Sequence, residues 1–495
     1  MIIFKYMLKR NIVIYASALL IMAIASACQK TVSESDKFDS AAVPERQLPP
    51  PVDVDLDEIK ERGSLIAVVD NSSTGYFVYK GQPMGYEYEL LHRLADNLEV
   101  ELETRMVTDI HEAFEMLNAG EADIIAYELT VTKERKAMVA FTESFYTTRQ
   151  VLVQRMPDNW RSLTRDDIER SLIRQQTDLE GKQINVRSNS AYIDRLTNLS
   201  DEIGGDILIV EEDDSTETEE IIAKVARGEV EFTVADETLA RVNATYYSNI
   251  DVATPLSLDQ RIAWAVRENA PDLLEAVNEW IAGVKKEPTY NVIYSRYFQN
   301  PRGARQHATS EFSSISGEKI SPYDQYIREA ADKLGWDWRL LAAQMYRESK
   351  FDPKAKSWAG AHGLMQLVPE TGRRFGARDL YNPEQNISAA SNFIKHLDNL
   401  WAKTVLDDAE RVKFVLASYN VGLGHVEDAR NLAVKYGYRP DVWDGNVERF
   451  LLLKSKRKYF TDSVVRSGYC RGHEPVEYVK TILEYYDMYK QLIDS

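Results

Sequence analysis

The spacing of apolar residues changes character several times along the chain. Behind Lys5, Lys9 and Arg10, an apolar run extends from Ile12 to Ala27. It is shorter than the ~20 residues a spanning helix needs and has the length of an export leader's central segment. From Gln29 to about Asp55 the chain is polar, with Pro44 and Pro49-Pro50-Pro51 and no apolar period, which predicts a tether. From Leu56 to about Asn300 two periods alternate. Leu65–Asp70 is a buried-strand run, and Tyr88, Leu91, Leu94/Ala95 and Leu98 share one helical face. Val100, Leu102, Thr104 and Met106 alternate as a strand, Ile110, Ala113/Phe114 and Leu117 return to the helical period, and Asp123–Tyr127 reads as a strand. A second set follows, with strands expected at Gln183–Arg187, Asp206–Val210 and Glu231–Asp236 and helices from Ser190 and over Thr216–Arg227. Such alternation predicts two α/β lobes on largely parallel sheets, with a cleft between them where a small ligand can sit.

Trp280–Phe298 is helical and aromatic-rich, and the polar, aperiodic stretch after it reads as a linker. Ser321-Pro322 then supplies an N-cap and N1 pair, and the remaining sequence is mostly helical, with helices expected at Arg339–Ser349, Pro383–Trp401, Arg411–Tyr419 and Pro475–Tyr489. The expected organisation is a leader over 1–28, a tether over 29–55, a bilobed α/β domain over 56–300, a linker over 301–317 and a mainly α domain over 318–495.

At 495 residues and 44% hydrophobic content, the chain suits two or three soluble domains. Its charge is unevenly spread: the net −18 is a net −23 over Asp53–Asn300 against +3 over 301–495. An acidic amino-terminal half argues against nucleic-acid binding, and a near-neutral carboxy-terminal half can approach an anionic polymer. Glu211–Glu220 packs seven acids into ten residues; it lacks the Gly-punctuated spacing of a calcium loop and reads as a solvated helix entry. The two cysteines are Cys28 and Cys470, and the seven His residues show no metal-ligand spacing. Cys470 reads as a packed or semi-exposed thiol, and no cofactor or metal is expected.

Candidate chemistry concentrates in Met345–Thr371. Leu341, Met345 and Glu348 fall at i, i+4 and i+7 and share one helical face, so one carboxyl points where the leucine and methionine point. Poor solvation raises a carboxyl's pKa and lets it act as a general acid; a surface Glu in a last helical turn would show the same spacing. Asp352-Pro353 closes the helix, and Gly360, Ala361 and Gly363 leave room for a ligand before Leu364–Leu367. E-S-K-F-D-P followed by S-W-A-G-A-H-G-L-M-Q-L-V-P-E-T, with Asn386-Ile387 and S-Y-N-V-G at Ser418–Gly422 downstream, resembles the lytic transglycosylases of the soluble type. That resemblance implies a lysozyme-like α fold acting on peptidoglycan glycan strands. It implies Glu348 as the single acid/base, Ser357 and Gln366 as hydrogen-bonding partners of the sugar or its N-acetyl group, Tyr419 holding or polarising Glu348, and Asn420 shaping the same wall. The product implied is a 1,6-anhydromuramic end formed without water. Trp336, Trp338, Trp358 and Trp443 are candidates for stacking on sugars, with core packing the commoner role for each.

In the amino-terminal half, G-Y-E-Y-E-L from Gly85 and L-T-V-T-K-E-R-K-A-M-V-A-F-T-E-S-F-Y from Leu129 resemble the periplasmic amino-acid-binding proteins of the third solute-binding family. The likeness implies a clamp for a zwitterion, with Arg135 on the α-carboxylate, Thr130, Thr132 and Ser190 as hydroxyl contacts and Asp236 on the α-ammonium. Glu87 stands where that family often has Asp, and Tyr127 and Glu128 replace small residues. The leader ends in Ala25-Ser26-Ala27-Cys28 and resembles a lipoprotein signal in which Cys28 is lipidated. Ala25 stands in place of the usual Leu, which leaves an uncleaved anchor or ordinary cleavage open. Both modules behind this leader resemble the membrane-bound lytic murein transglycosylases. The implied partners are glycan strands, a muropeptide or amino-acid ligand in the first domain and, through a lipid anchor, a membrane; the implied location is the periplasm-facing cell envelope, with Gln29 permitting the outer membrane.

Overall fold

A computed structural model of the chain describes residues 48–107, 109–213, 216–299, 307, 310–315 and 319–493. The leader, Cys28 and residues 29–47 of the expected tether lie outside the described residues, as does most of the expected linker. No described helix is long and apolar enough to cross a membrane.

The end of the expected tether is pinned to the fold. Val52 N–H donates to the Asn118 carbonyl at 2.9 Å, and the buried Arg267 guanidinium donates to the Val54 carbonyl at 2.9 Å. Asp55 then caps Leu56–Arg62 through a capping box with Glu58.

Two five-stranded sheets follow. The first has the order Glu101–Met106, Ser64–Val69, Ile124–Ile125, Ala265–Val266, Ala140–Phe141; its first three strands are parallel and its last two join antiparallel. The second runs Leu208–Glu211, Gln183–Val186, Phe232–Asp236, Gln150–Arg155, Ile250–Pro255, again with two parallel pairings followed by two antiparallel ones. Four strands of each sheet thus share one direction, as the alternation suggests, and a fifth runs against them. The chain crosses from the first lobe to the second after Tyr146–Thr148 and returns along Gln260–Ile262, and these two stretches pair antiparallel between the lobes. One strand beside a crossing, Ala265–Val266 in the first sheet and Gln150–Arg155 in the second, runs against the direction set by the βα units. In the motif at Gly85, φ is +137° and a Cβ would lie 1.9 Å from the Gly75 carbonyl oxygen, so glycine alone fits.

Helices fill the carboxy-terminal part: Asp324–Leu334, Trp338–Ser349, Pro383–Trp401, Asp408–Val421, Leu423–Lys435 and His473–Leu492, with shorter ones between. The first starts later than the Ser321-Pro322 pair implies. Asp324 Oδ1 accepts from Ser321 N–H and Oγ–H at 2.8 and 2.7 Å, so serine and aspartate close a turn ahead of the helix.

One hydrophobic core runs from the first lobe into the helices, whereas the second lobe packs two separate clusters on either side of its sheet. The terminal helix His473–Leu492 makes the join. Tyr489 Oη donates to the Gly81 carbonyl at 2.9 Å, Met106 N–H donates to Gln491 Oε1 at 3.0 Å, and Lys480 pairs with Glu101. The strand Glu101–Met106 is the sheet's edge, and this helix covers it.

Candidate active site

Glu348 sits in the last turn of Trp338–Ser349. Asp337 caps the start of this helix by accepting from Arg339 N–H, and Leu341 and Met345 of the same face are fully buried. The helix stops because Lys350 and Phe351 both turn left-handed, at φ 51° and 62°. Asp352 is therefore not its terminal cap; its carboxylate accepts from Lys354 N–H at 2.8 Å and shapes the next turn.

Burial pushes the Glu348 carboxyl up to about 7, against the pull of a hydrogen bond from Tyr478 and the charge of Arg347. Tyr478 Oη donates to Glu348 Oε1 at 2.5 Å and accepts from Gln344 Nε2 at 3.2 Å. Gln344, one turn before Glu348, and Tyr478 are both buried. The acid is thus held by a short relay across two packed helices.

Tyr419 lies close enough for its phenol to be pushed up by burial and by the charge of Glu348, but its hydroxyl is aimed elsewhere, donating to the Met365 carbonyl at 2.7 Å. The direct hold on Glu348 that the motif implies for Tyr419 is made by Tyr478. Nothing in the sequence links Tyr478 to a carboxyl 130 residues earlier, since it is one tyrosine among several in an amphipathic helix. Gln344 was legible as a polar residue at i−4 on an apolar face.

The loop opposite Glu348 is tied to the helix Pro383–Trp401. Asn386, fully buried, accepts from Met365 N–H at 2.8 Å and donates to the carbonyls of His362 and Leu380 at 3.0 and 2.9 Å. Gly363, at φ +79°, has no room for a side chain: a Cβ would lie 2.0 Å from the Leu380 carbonyl oxygen. Gln366 is left-handed at φ 46°, and its amide donates to the Gly363 carbonyl at 2.8 Å. Ser357 Oγ accepts from Ala361 N–H at 3.0 Å, so both side chains shape the loop. Asn420 is exposed at the end of Asp408–Val421, where Trp401 Nε1 donates to Ser418 Oγ at 2.9 Å and locks the preceding turn. Of the four tryptophans named for stacking, Trp338 and Trp443 are core, Trp336 packs against it, and Trp358 stands fully exposed beside Ser357.

A second site lies between the α/β lobes, where a cavity of about 90 Å³ is lined by Thr130, Arg135, Ser190 and Asp236, all named from the sequence. Thr132 is the exception: it does not line the cavity, and its hydroxyl accepts from Arg135 N–H at 3.2 Å. Arg135 Nη1 donates to the Thr130 carbonyl at 3.2 Å, Ser190 Oγ donates to the Arg187 carbonyl at 2.6 Å, and Tyr192 Oη donates to Asp236 Oδ2 at 3.3 Å. Burial raises Asp236 to about 7 and Glu128 to about 8. Glu217 and Glu219 also face the cavity, so this part of the acidic run is no solvated helix entry. Glu217 pairs with Arg187 at 2.7 Å, and Glu219 reaches across to Ser73 of the first lobe. Glu87, by contrast, is buried in the first lobe and accepts from Trp264 Nε1 at 2.6 Å. Cys470 is a buried free thiol.

Comparison with known proteins covers both sites. Residues 65–300 match the bacterial extracellular solute-binding proteins, family 3, and residues 325–441 match the transglycosylase SLT domain. Holo ArgBP from T. maritima is 26% identical and aligns over 49% of this chain and 99% of its own, with a TM-score of 0.39. Relatives named membrane-bound lytic murein transglycosylase F match nearly the whole chain, three of them as follows. That of Desulfosudis oleivorans is 34% identical over 434 residues, 88% of this chain and 91% of its own. That of Pseudomonas fluorescens is 31% identical over 88% of this chain and 86% of its own, and that of Shewanella woodyi is 30% identical over 95% and 90%. The likeness takes in the bilobed domain and the helical domain in one order and nearly the full length of each relative, and the chain belongs to the family of membrane-bound lytic murein transglycosylase F.

Proposed function

We propose that this lytic murein transglycosylase cleaves the β-1,4 bond between N-acetylmuramic acid and N-acetylglucosamine with Glu348 as its only catalytic carboxyl. The observation that carries this reading is the state of Glu348: burial holds it near 7, and its electrostatic partners are a phenol and an arginine, with no second acid among them. Ordinary retaining and inverting glycosidases use two carboxylates flanking the bond. A lone acid poised near neutrality suits a route in which it serves twice.

In the first step the Glu348 proton passes to the glycosidic oxygen, the C1–O bond breaks, and the substrate's N-acetyl oxygen stabilises the positive charge at C1. In the second, the Glu348 carboxylate takes the proton of the muramyl C6 hydroxyl, whose oxygen bonds to C1. The acid is restored and the product ends in 1,6-anhydromuramic acid. Tyr478 steadies the carboxylate between the steps. Gln366, Ser357 and Asn420 form the sugar-facing wall, Tyr419 packs beside the acid, and the exposed Trp358 offers a ring face to a flanking sugar. The α/β domain senses a muropeptide or amino acid through Arg135, Asp236, Thr130 and Ser190, and its closing biases the enzyme. Lipidation of Cys28 anchors the chain, on the sorting pattern of Gln29 at the outer membrane.

Purified peptidoglycan treated with the protein and with Glu348→Gln tests this by mass spectrometry. Anhydro ends from the wild type alone are expected. Reducing ends would mean hydrolysis and a second carboxylate, and glycan bound without products would make the helical domain a binding module.

A further inference from the structure

Resting on the reading of the α/β domain as a ligand sensor, the charge inside its cleft narrows the ligand. Five carboxyls line the cavity, Asp70, Glu128, Glu217, Glu219 and Asp236, against two guanidinium groups, Arg135 and Arg187. Part of this charge is spent within the protein. Glu219 accepts from Ser73 N–H and Oγ–H, and one oxygen of Glu217 pairs with Arg187. Four acceptors are left over: Asp70 Oδ1, Glu128 Oε1, Glu217 Oε1 and Asp236 Oδ1 are buried and take no well-aligned hydrogen bond from the described residues, with only the Thr74 and Tyr146 hydroxyls beside Glu128 and that of Ser72 beside Asp70. Asp70 and Asp236 are only 8% and 4% exposed, and a buried carboxyl oxygen without a donor is costly.

A neutral α-amino acid uses few of these groups. Its carboxylate satisfies Arg135 and its ammonium satisfies Asp236. Asp70, Glu128 and Glu217 would still face the cavity with oxygens unfilled. We propose that the cleft takes a single α-amino acid with a cationic side chain, of the lysine, ornithine or arginine class, whose side-chain nitrogen is received by Asp70, Glu128 and Glu217. The cavity, about 90 Å³, has room for one amino acid. Burial raises Asp70, Glu128 and Glu217, and the charge of Asp70 adds to the rise at the two glutamates, so an arriving cation supplies a countercharge that lets them ionise in place.

Titration calorimetry on the full-length protein in mild detergent tests this with matched pairs: L-arginine against L-citrulline and L-lysine against L-norleucine, with L-glutamate added. The cationic member of at least one pair is expected to bind 100-fold or more tighter than its neutral partner, and glutamate not at all. Glu128→Gln should weaken the cationic ligand tenfold or more while shifting the neutral one less than threefold, with the variant's Tm checked against wild type. Neutral partners binding within threefold of the cations, or tightest binding of glutamate, overturns the inference and leaves the sensor reading standing. If no amino acid of the panel binds, the inference falls, and the sensor reading stands only for a muropeptide.

Discussion

Replacing Tyr478 by Phe removes one oxygen from the site and leaves the ring that fills the space between two helices. That oxygen donates to Glu348 at 2.5 Å, and it lowers the pKa that burial raises to about 7. A hydrogen bond to a charged group contributes about 1.5–3 kcal/mol, and about 1.4 kcal/mol corresponds to one pH unit. Without the phenol the carboxylate form is less stabilised, so the acid holds its proton about one to two pH units higher. Glu348 must begin the cycle protonated, so wild-type activity should fall as pH rises through about 7, and in Tyr478→Phe this descending limb should move upward by about one to two units. The maximum rate should also drop, because the carboxyl loses the contact that aims it. Release of anhydromuropeptides from purified sacculi, measured from pH 5 to 9, reads both effects. Loss of the Gln344 partner should cost stability by about 1–3 kcal/mol, so rates are compared well below the variant's Tm. A limb that stays in place or moves to lower pH would refute the claim that Tyr478 holds the carboxylate in the working enzyme.

Two further outcomes follow from buried charge. Glu348 keeps its proton to about 7 in the folded protein and to an ordinary 4.5 when unfolded, so it withdraws stability as pH rises between those values, by about 3 kcal/mol at most. Glu348→Gln should therefore raise the Tm at pH 8 and leave it unchanged at pH 4 by scanning calorimetry; a gain confined to low pH contradicts the assignment. Lys454, fully buried, pairs with Asp428 at 2.8 Å, and Asp428 also accepts from the backbone of Arg466 and Ser467. Asp428→Asn should cost about 3–5 kcal/mol in urea unfolding by leaving the ammonium uncompensated. Asp428 is held below its usual range by these donors, so the stability it contributes should disappear as pH falls through the folded-state value, below the ordinary 3.8.

Much of the architecture follows from local pattern. The helix Pro383–Trp401 ends where its period does, and Trp338–Ser349 begins at an aspartate cap that its sequence supplies. The apolar face that carries Leu341 and Met345 also places Glu348, so the candidate acid is legible because helical spacing is a local rule. The cleft was legible in its shared motif positions, Thr130, Arg135, Ser190 and Asp236. What escaped were contacts without a fixed spacing. Thr132 turns away to serve the backbone of Arg135, Glu217 and Glu219 leave a run that looks solvated to face the cavity between the lobes, and one reversed strand enters each sheet because the chain changes lobes twice.

The sequence by itself determined which residue types stand at which local spacing, and with them the elements, the acid on its apolar face and the order of the two domains. Tertiary structure alone decided who meets the acid. Tyr478 reaches Glu348 only because the terminal helix packs against Trp338–Ser349 while its far end covers the first lobe's edge strand. Periodicity reports which face of a helix is buried and not what lies across from it, since that depends on how distant segments fill a shared core.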